Sequence, residues 1–319
     1  MGLRVSAPGK LMLSGEYAVL DGATAVVAAV DARATATVGA PPLADTPPEV
    51  SATWRLARER FPKLPSAPPR IDVSALRDPS GAQKLGLGSS AAAAAATAGL
   101  ALAFAHGADA LADGATREAL FTLAFRGHAV IAPEGSGADV AAASLGGYIR
   151  FQPAPPGSQQ LPTCAPLRAP AGLTTRVVWT GHAARTSDLV GQVKRFKARD
   201  PGPYAAHQRE LADAAEAFAT TFAAGSAAAL LPLAARYHEA MRALGDAAGA
   251  PIVEEHLRAV ADLAARCGGA AKPSGAGGGD VAIAFFCDEA DAERFDARVA
   301  DTGFETLRLT LGAPGPRVD

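Results

Sequence analysis

Short apolar runs broken by polar turns open the chain, a rhythm that predicts strands, and a long run of small apolar residues further on predicts a helix. Leu3 to Ala7 reads as a strand. Ala7-Pro8-Gly9-Lys10 reads as a turn that sets one lysine between two apolar segments, and Leu11 to Leu13 resumes before Ser14-Gly15-Glu16-Tyr17. Val26, Val27, Ala29 and Val30, then the alternation from Ala32 to Val38, predict strands of a sheet with one wet face. Proline-rich connectors at Pro41 to Pro48 and Pro65 to Pro69 flank a helix expected from Pro48 to Phe61.

Two glycine-rich turns then deliver the chain onto helices. Lys84-Leu85-Gly86-Leu87-Gly88-Ser89-Ser90 runs into six alanines, and alanine is the best helix former. A helix start attracts anions, because its first N–H groups lack partners within the helix and glycines let a phosphate approach the backbone. Ser89 and Ser90 add hydroxyls that could cap the helix, bind phosphate or ligate a metal. The helix is expected over Ala91 to Ala105, with one or two more over Ala110 to Ile131. The second turn, Pro133 to Ala138, enters a small-residue helix closed by Gly146-Gly147, and Tyr148 to Phe151 is a strand.

The composition shift from Pro153 to Ala171 predicts a boundary between an N-terminal domain, residues 1–165, and a C-terminal one, residues 166–319. Beyond it the pattern predicts a strand at Thr174 to Thr180 and a helix at Thr186 to Arg199. Helices from Tyr204 to Gly245 and Ile252 to Cys267 follow, then a glycine-rich loop from Lys272 to Asp280 and a buried strand from Val281 to Phe286. A helix near Ala290 to Ala300 and a strand at Glu305 to Leu311 complete an α+β second domain.

Composition narrows the function. With 319 residues, 49% of them hydrophobic, two cores can be buried, and a net charge of −2 offers no footprint for nucleic acid or a membrane surface. Cys164, Cys267 and Cys287 are scattered and odd in number, so neither a disulfide framework nor a zinc site is expected; a reducing cytoplasm fits. Ala91 to Ala105 is too short to span a bilayer, no secretory signal pattern opens the chain, and a short myristoylation match at Gly2 reads better as the start of a strand. Gly86 to Ala91 also fits the dinucleotide pattern G-x-G-x-x-A. The polar, turn-rich Asp78 to Lys84 stands where a buried strand should precede it, which argues against a dinucleotide site, and no Walker sequence occurs around the loop.

Three separated motifs carry a resemblance to the GHMP superfamily of small-molecule kinases: Pro8-Gly9-Lys10-Leu11 with Gly15-Glu16-Tyr17, Gly86 to Ala92, and Lys272 to Asp280. The resemblance implies a two-domain α+β fold, with an N-terminal ribosomal-protein-S5-like domain and a C-terminal ferredoxin-like domain. Glu16-Tyr17, Lys84, Gly135 to Ala141, Trp179-Thr180-Gly181 and Pro273-Ser274 with Asp280 resemble the branch that phosphorylates phosphomevalonate more than the branch that phosphorylates mevalonate. Mevalonate-phosphorylating relatives tend to carry a metal-binding glutamate where His128 stands.

The implied activity is ATP- and Mg²⁺-dependent conversion of 5-phosphomevalonate to 5-diphosphomevalonate, with mevalonate as the alternative acceptor and a non-catalytic regulator as a third reading. By resemblance Lys10 and Asp139 are the catalytic pair. Lys84, Gly86, Leu87, Gly88, Ser89, Ser90 and Ala91 hold the nucleotide, with Ser90 on the metal. Glu16, Tyr17, Ser136, Gly137, Arg185, Ser187, Ser274, Gly275, Ala276 and Gly277 receive the substrate. A phosphate acceptor, with a second pKa of about 6, is already a dianion near neutrality and scarcely needs a general base. Its difficulty is repulsion between two anions, for which Lys10, Lys84, Arg185, Lys194 and Lys197 are candidate cations. The expected partner is a small phosphorylated acid, without nucleic acid or membrane, and the expected state is a monomer or homodimer.

Overall fold

The computed structural model describes residues 2–39, 45–78, 80–155, 158, 160–182 and 186–319. Part of the first expected connector (residues 41–44), part of the expected domain-boundary stretch (156, 157 and 159), Pro79, and Arg185 lie outside the described residues. Among those described, the strands are β1 (Arg4–Ser14), β2 (Ala25–Thr37), β3 (Arg70–Asp72), β4 (Tyr148–Gln152), β5 (Thr163–Leu167), β6 (Thr174–Trp179), β7 (Ala270–Pro273), β8 (Val281–Phe286), β9 (Glu305–Leu307) and β10 (Arg317–Val318). The helices are α1 (Pro48–Arg60), α2 (Ser89–His106), α3 (Gly114–His128), α4 (Ala138–Leu145), α5 (Thr186–Arg199), α6 (Pro201–Ala224), α7 (Ala227–Ala248), α8 (Glu255–Arg266) and α9 (Glu289–Ala300).

Two compact units are built from these elements. One comprises residues 1–11, 27–164 and 310–319, the other 12–26 and 165–309. A single cut at residue 165 therefore describes one crossing of the chain; residues 12–26 and 310–319 belong with the opposite half of the sequence. The first sheet has the order β10-β1-β2-β4-β5, with β3 also paired to β2. In the first unit α2 packs against α1, α3 and α4. Its alanines from Ala91 to Ala96 are at most 1% exposed, and every residue from 91 to 103 is buried, so this part of α2 is covered on every side. At 18 residues it is long and apolar enough to cross a membrane by length and composition, but its burial makes it a core helix of this fold.

In the second unit the sheet order is β7-β8-β6-β9, antiparallel throughout, with β6 in register against β8 from Thr174↔Phe286 to Trp179↔Val281. The chain order β6-(α5 to α8)-β7-β8-α9-β9 is the β-α-β-β-α-β arrangement of a ferredoxin-like domain, with four helices in the first crossover. Its core runs through Leu211, Phe295, Tyr237, Leu244, Val260 and Phe286.

Ala7-Pro8-Gly9-Lys10 is not a turn: it lies inside β1, which is continuous from Arg4 to Ser14. Alternate strand N–H groups point the same way, and on this side Ser6 pairs with β10 while the Lys10 N–H reaches Leu87 O at 2.9 Å. Pro8 falls between them, past the end of the β10 pairing, where a missing N–H breaks no ladder. A Cβ on Gly9 would stand 2.7 Å from Leu76 Cδ2 and 2.8 Å from Leu87 O, so glycine is there for close approach.

Candidate active site

In the first unit, the strand and the glycine loop meet at Lys10. Its backbone bonds to Leu87, its Nζ lies 3.3 Å from Gly86 O, and the side chain is 9% exposed. The side chain crosses Gly88, where a Cβ would meet Lys10 Cγ at 2.9 Å. Gly88 is also the N-cap of α2, with φ 74° and ψ 44°, a left-handed conformation that suits glycine. Neither Ser89 nor Ser90 caps the helix, because both already lie within its first turn; the first intrahelical bond runs from Ala92 N–H to Gly88 O. Three helical N–H groups, those of Ser89, Ser90 and Ala91, precede that bond and form a natural anion site. Ser90 Oγ is 3.1 Å from Nε2 of the buried His128 at the end of α3.

Lys84 is exposed at the mouth of the loop, where it bridges to Arg77 across a turn in which Asp78 accepts from Gln83 N–H at 2.7 Å. The second glycine-rich turn caps α4 with Gly137 in a left-handed conformation, and Ser136 Oγ accepts from Ala138 N–H at 3.3 Å. Asp139 is therefore not the cap. It stands half-buried in the first turn of α4, one carboxylate oxygen taking the Val140 N–H at 2.9 Å.

The second unit gathers the other expected residues around Glu16 and Tyr17. Tyr17 has φ 61° and ψ −50°, and Ala18 N–H bonds to Glu16 O at 2.7 Å, so the segment is a γ-turn of the rare positive-φ kind, costing of order 1–3 kcal/mol. Ties to other elements hold it. The Tyr17 hydroxyl donates to Ala276 O at 2.5 Å, and the Tyr237 hydroxyl of α7 donates to Glu16 O at 2.9 Å. Burial, reinforced by the Glu16 charge, raises both phenols well above the ordinary tyrosine value, so they remain donors.

Glu16 is 2% exposed and forms an ion pair with Lys272, itself 1% exposed, while Gly275 N–H approaches the same carboxylate oxygen at 3.3 Å. The Glu16 carboxylate is thus turned inward onto Lys272. The buried Ser274 hydroxyl accepts the Met12 N–H at 2.9 Å.

The remaining expected residues are dispersed. Ser187 is exposed on α5, and Lys194 occupies an exposed position of the same helix. Lys197 lies 2.7 Å from Asp21 and over the Tyr204 ring at 5.1 Å. Lys272 and Tyr237 were missed as site-forming residues. The one sequence signal for Lys272 is a lysine set between Ala270-Ala271 and Pro273 just ahead of an apolar strand, an unusual place for a solvated charge.

One unit lays a lysine over a glycine loop at a helix start and the other is a β-α-β-β-α-β sheet domain, and the chain belongs to the GHMP kinases. The description "GHMP kinases N terminal domain" matches residues 53–147 and "GHMP kinases C terminal" matches residues 209–304. The chain is 32% identical to phosphomevalonate kinase of Streptomyces sp. (strain CL190), covering 97% of each chain. Among solved structures it is similar to the Lin0012 protein of Listeria innocua, with a TM-score of 0.87, 25% identity, and coverage of 100% of this chain and 99% of that one. It shares its fold with Streptococcus pneumoniae phosphomevalonate kinase in complex with phosphomevalonate and AMPPNP, with a TM-score of 0.76, 18% identity, and coverage of 97% and 99%.

Proposed function

We propose that the chain transfers the γ-phosphoryl group of ATP to the phosphate of 5-phosphomevalonate, releasing ADP and 5-diphosphomevalonate. The observation that carries this reading is the likeness to a phosphomevalonate kinase running over 97% of both chains. Transfer between two anions needs charge neutralised and atoms held in line more than it needs proton abstraction. Lys10, fixed at both backbone and Nζ to the glycine loop, is the cation suited to the transferring phosphoryl group. The leading amides of α2 take the donor phosphates, and Lys84 at the loop mouth offsets charge on the incoming acceptor. Asp139 orients that acceptor, whose second pKa of about 6 makes it a dianion without help.

Mg²⁺ fits this donor set. Nucleotide-bound Mg²⁺ takes one or two protein oxygens and otherwise phosphates and water, and Ser90 Oγ is one such oxygen. Bound there, the ion would neutralise phosphate charge.

Coupled ADP-release assays with phosphomevalonate and mevalonate side by side test the reading. Phosphomevalonate is expected to support turnover, and mevalonate to do so at least 100-fold less well in kcat/KM. Turnover of mevalonate alone would overturn the acceptor assignment, and turnover of neither would overturn the activity.

A further inference from the structure

Lys272 is a charge sealed inside the second unit, and none of the roles above uses it. Its Nζ reaches Glu16 and, at 2.6 Å, Pro273 O, and it lies 5.5 Å from the centre of the Tyr237 ring. The pair it makes joins segments 256 residues apart. Around it, the Ser274–Gly279 loop is tied at four points: Ser274 to Met12, Gly275 to Glu16, Ala276 O to the Tyr17 hydroxyl, and Gly278 N–H to Ile252 O at 2.8 Å. The amides of Ala276 and Gly277, between those ties, have no hydrogen-bond partner among the described residues. Glu16 Oε2 is also buried without one, so the carboxylate depends on Lys272 for its compensation.

We propose that Lys272 is a positioning residue: its buried pair with Glu16, together with the strained Tyr17 turn, holds the Ser274–Gly279 loop so that the Ala276 and Gly277 amides form a preformed cradle for an anionic group of the acceptor. The acceptor part of this inference rests on the phosphomevalonate reading above; the clamp itself does not. Binding to a loop already ordered avoids the entropy of ordering it at each encounter, so the clamp acts on acceptor affinity.

Replacing Lys272 alone would strand a buried carboxylate, so the test uses the neutral pair Lys272→Met with Glu16→Gln, and separately Tyr17→Phe, which removes one tie and no charge. Amide hydrogen exchange over residues 275–279 of the ligand-free protein is expected to accelerate at least tenfold in both variants, with α2 unchanged. Acceptor KM is expected to rise at least tenfold, with kcat and ATP KM within threefold of the parent. Unaltered exchange, an unaltered acceptor KM, or a rise in ATP KM instead would each overturn the proposal. Should the parent protein turn over no phosphomevalonate, the functional reading fails, while the exchange measurement still decides the clamp.

Discussion

Gly88 answers two separate demands, and each forbids a side chain. A left-handed residue costs an L amino acid about 1–2 kcal/mol, and a methyl group here would stand 2.9 Å from Lys10 Cγ. Gly88→Ala is therefore expected to push Lys10 off the loop and to lower kcat/KM for ATP at least tenfold, about 1.4 kcal/mol in the barrier. Steady-state kinetics check this, and parental values would mean that Lys10 is not held by the glycine. The glycine spacing was legible in the sequence because a phosphate loop is a local device, with its chemistry carried by neighbouring residues. The environment of Glu16 was not. Its sequence neighbours suggest a turn carboxylate facing a ligand, and only folding brings Lys272 against it. The γ-turn at Tyr17 was hidden for a related reason, since distant hydrogen bonds hold a backbone shape that tyrosine does not favour by itself.

Helix α2 shows the same logic in a whole element. Alanine supplies helix propensity, but its more demanding role is spacing: three helices approach α2, and small side chains permit that closeness. Ala95 is fully buried, so Ala95→Leu adds volume where none is free. It is expected to destabilise the fold by about 1–3 kcal/mol, seen as a lower urea midpoint at unchanged slope. The helices were legible to within a few residues, because apolar periodicity and punctuating Gly and Pro are local. The short strands β3, β5, β7 and β10 were not. β5 and β7 contain Pro166 and Pro273, which argue against a strand in sequence and are tolerated because both strands lie at sheet edges. β3 and β10 have three and two residues, and their partner strands define them.

Acid sensitivity belongs to the whole fold, because it sums over buried groups. His238 is 5% exposed on α7, and burial lowers its pKa; Lys272 and Arg242 lower it further, whereas Glu239 and Asp262 act in the opposite sense. His256 is lowered in the same way, first by burial. The folded protein protonates these imidazoles less readily than the unfolded chain, which takes up protons below about pH 6.5. Their contribution to stability is thus present above that pH and lost as the pH falls through the depressed folded values. The urea midpoint is expected to drop between pH 7 and pH 5, and His238→Gln to make that decline shallower; an identical decline in the variant would remove His238 from the account.

The interleaved units bear on how the protein is made. Residues 12–26 join a unit whose remaining residues begin at 165, and the unit that contains residue 1 is completed by residues 310–319, where β10 pairs with Val5 and Ser6. A ribosome delivers residues in sequence order, so neither unit is a contiguous product that can mature while the other is still being synthesised. The edge of β1 at Val5 and Ser6 stays unzipped until positions 317 and 318 emerge, about 300 residues later.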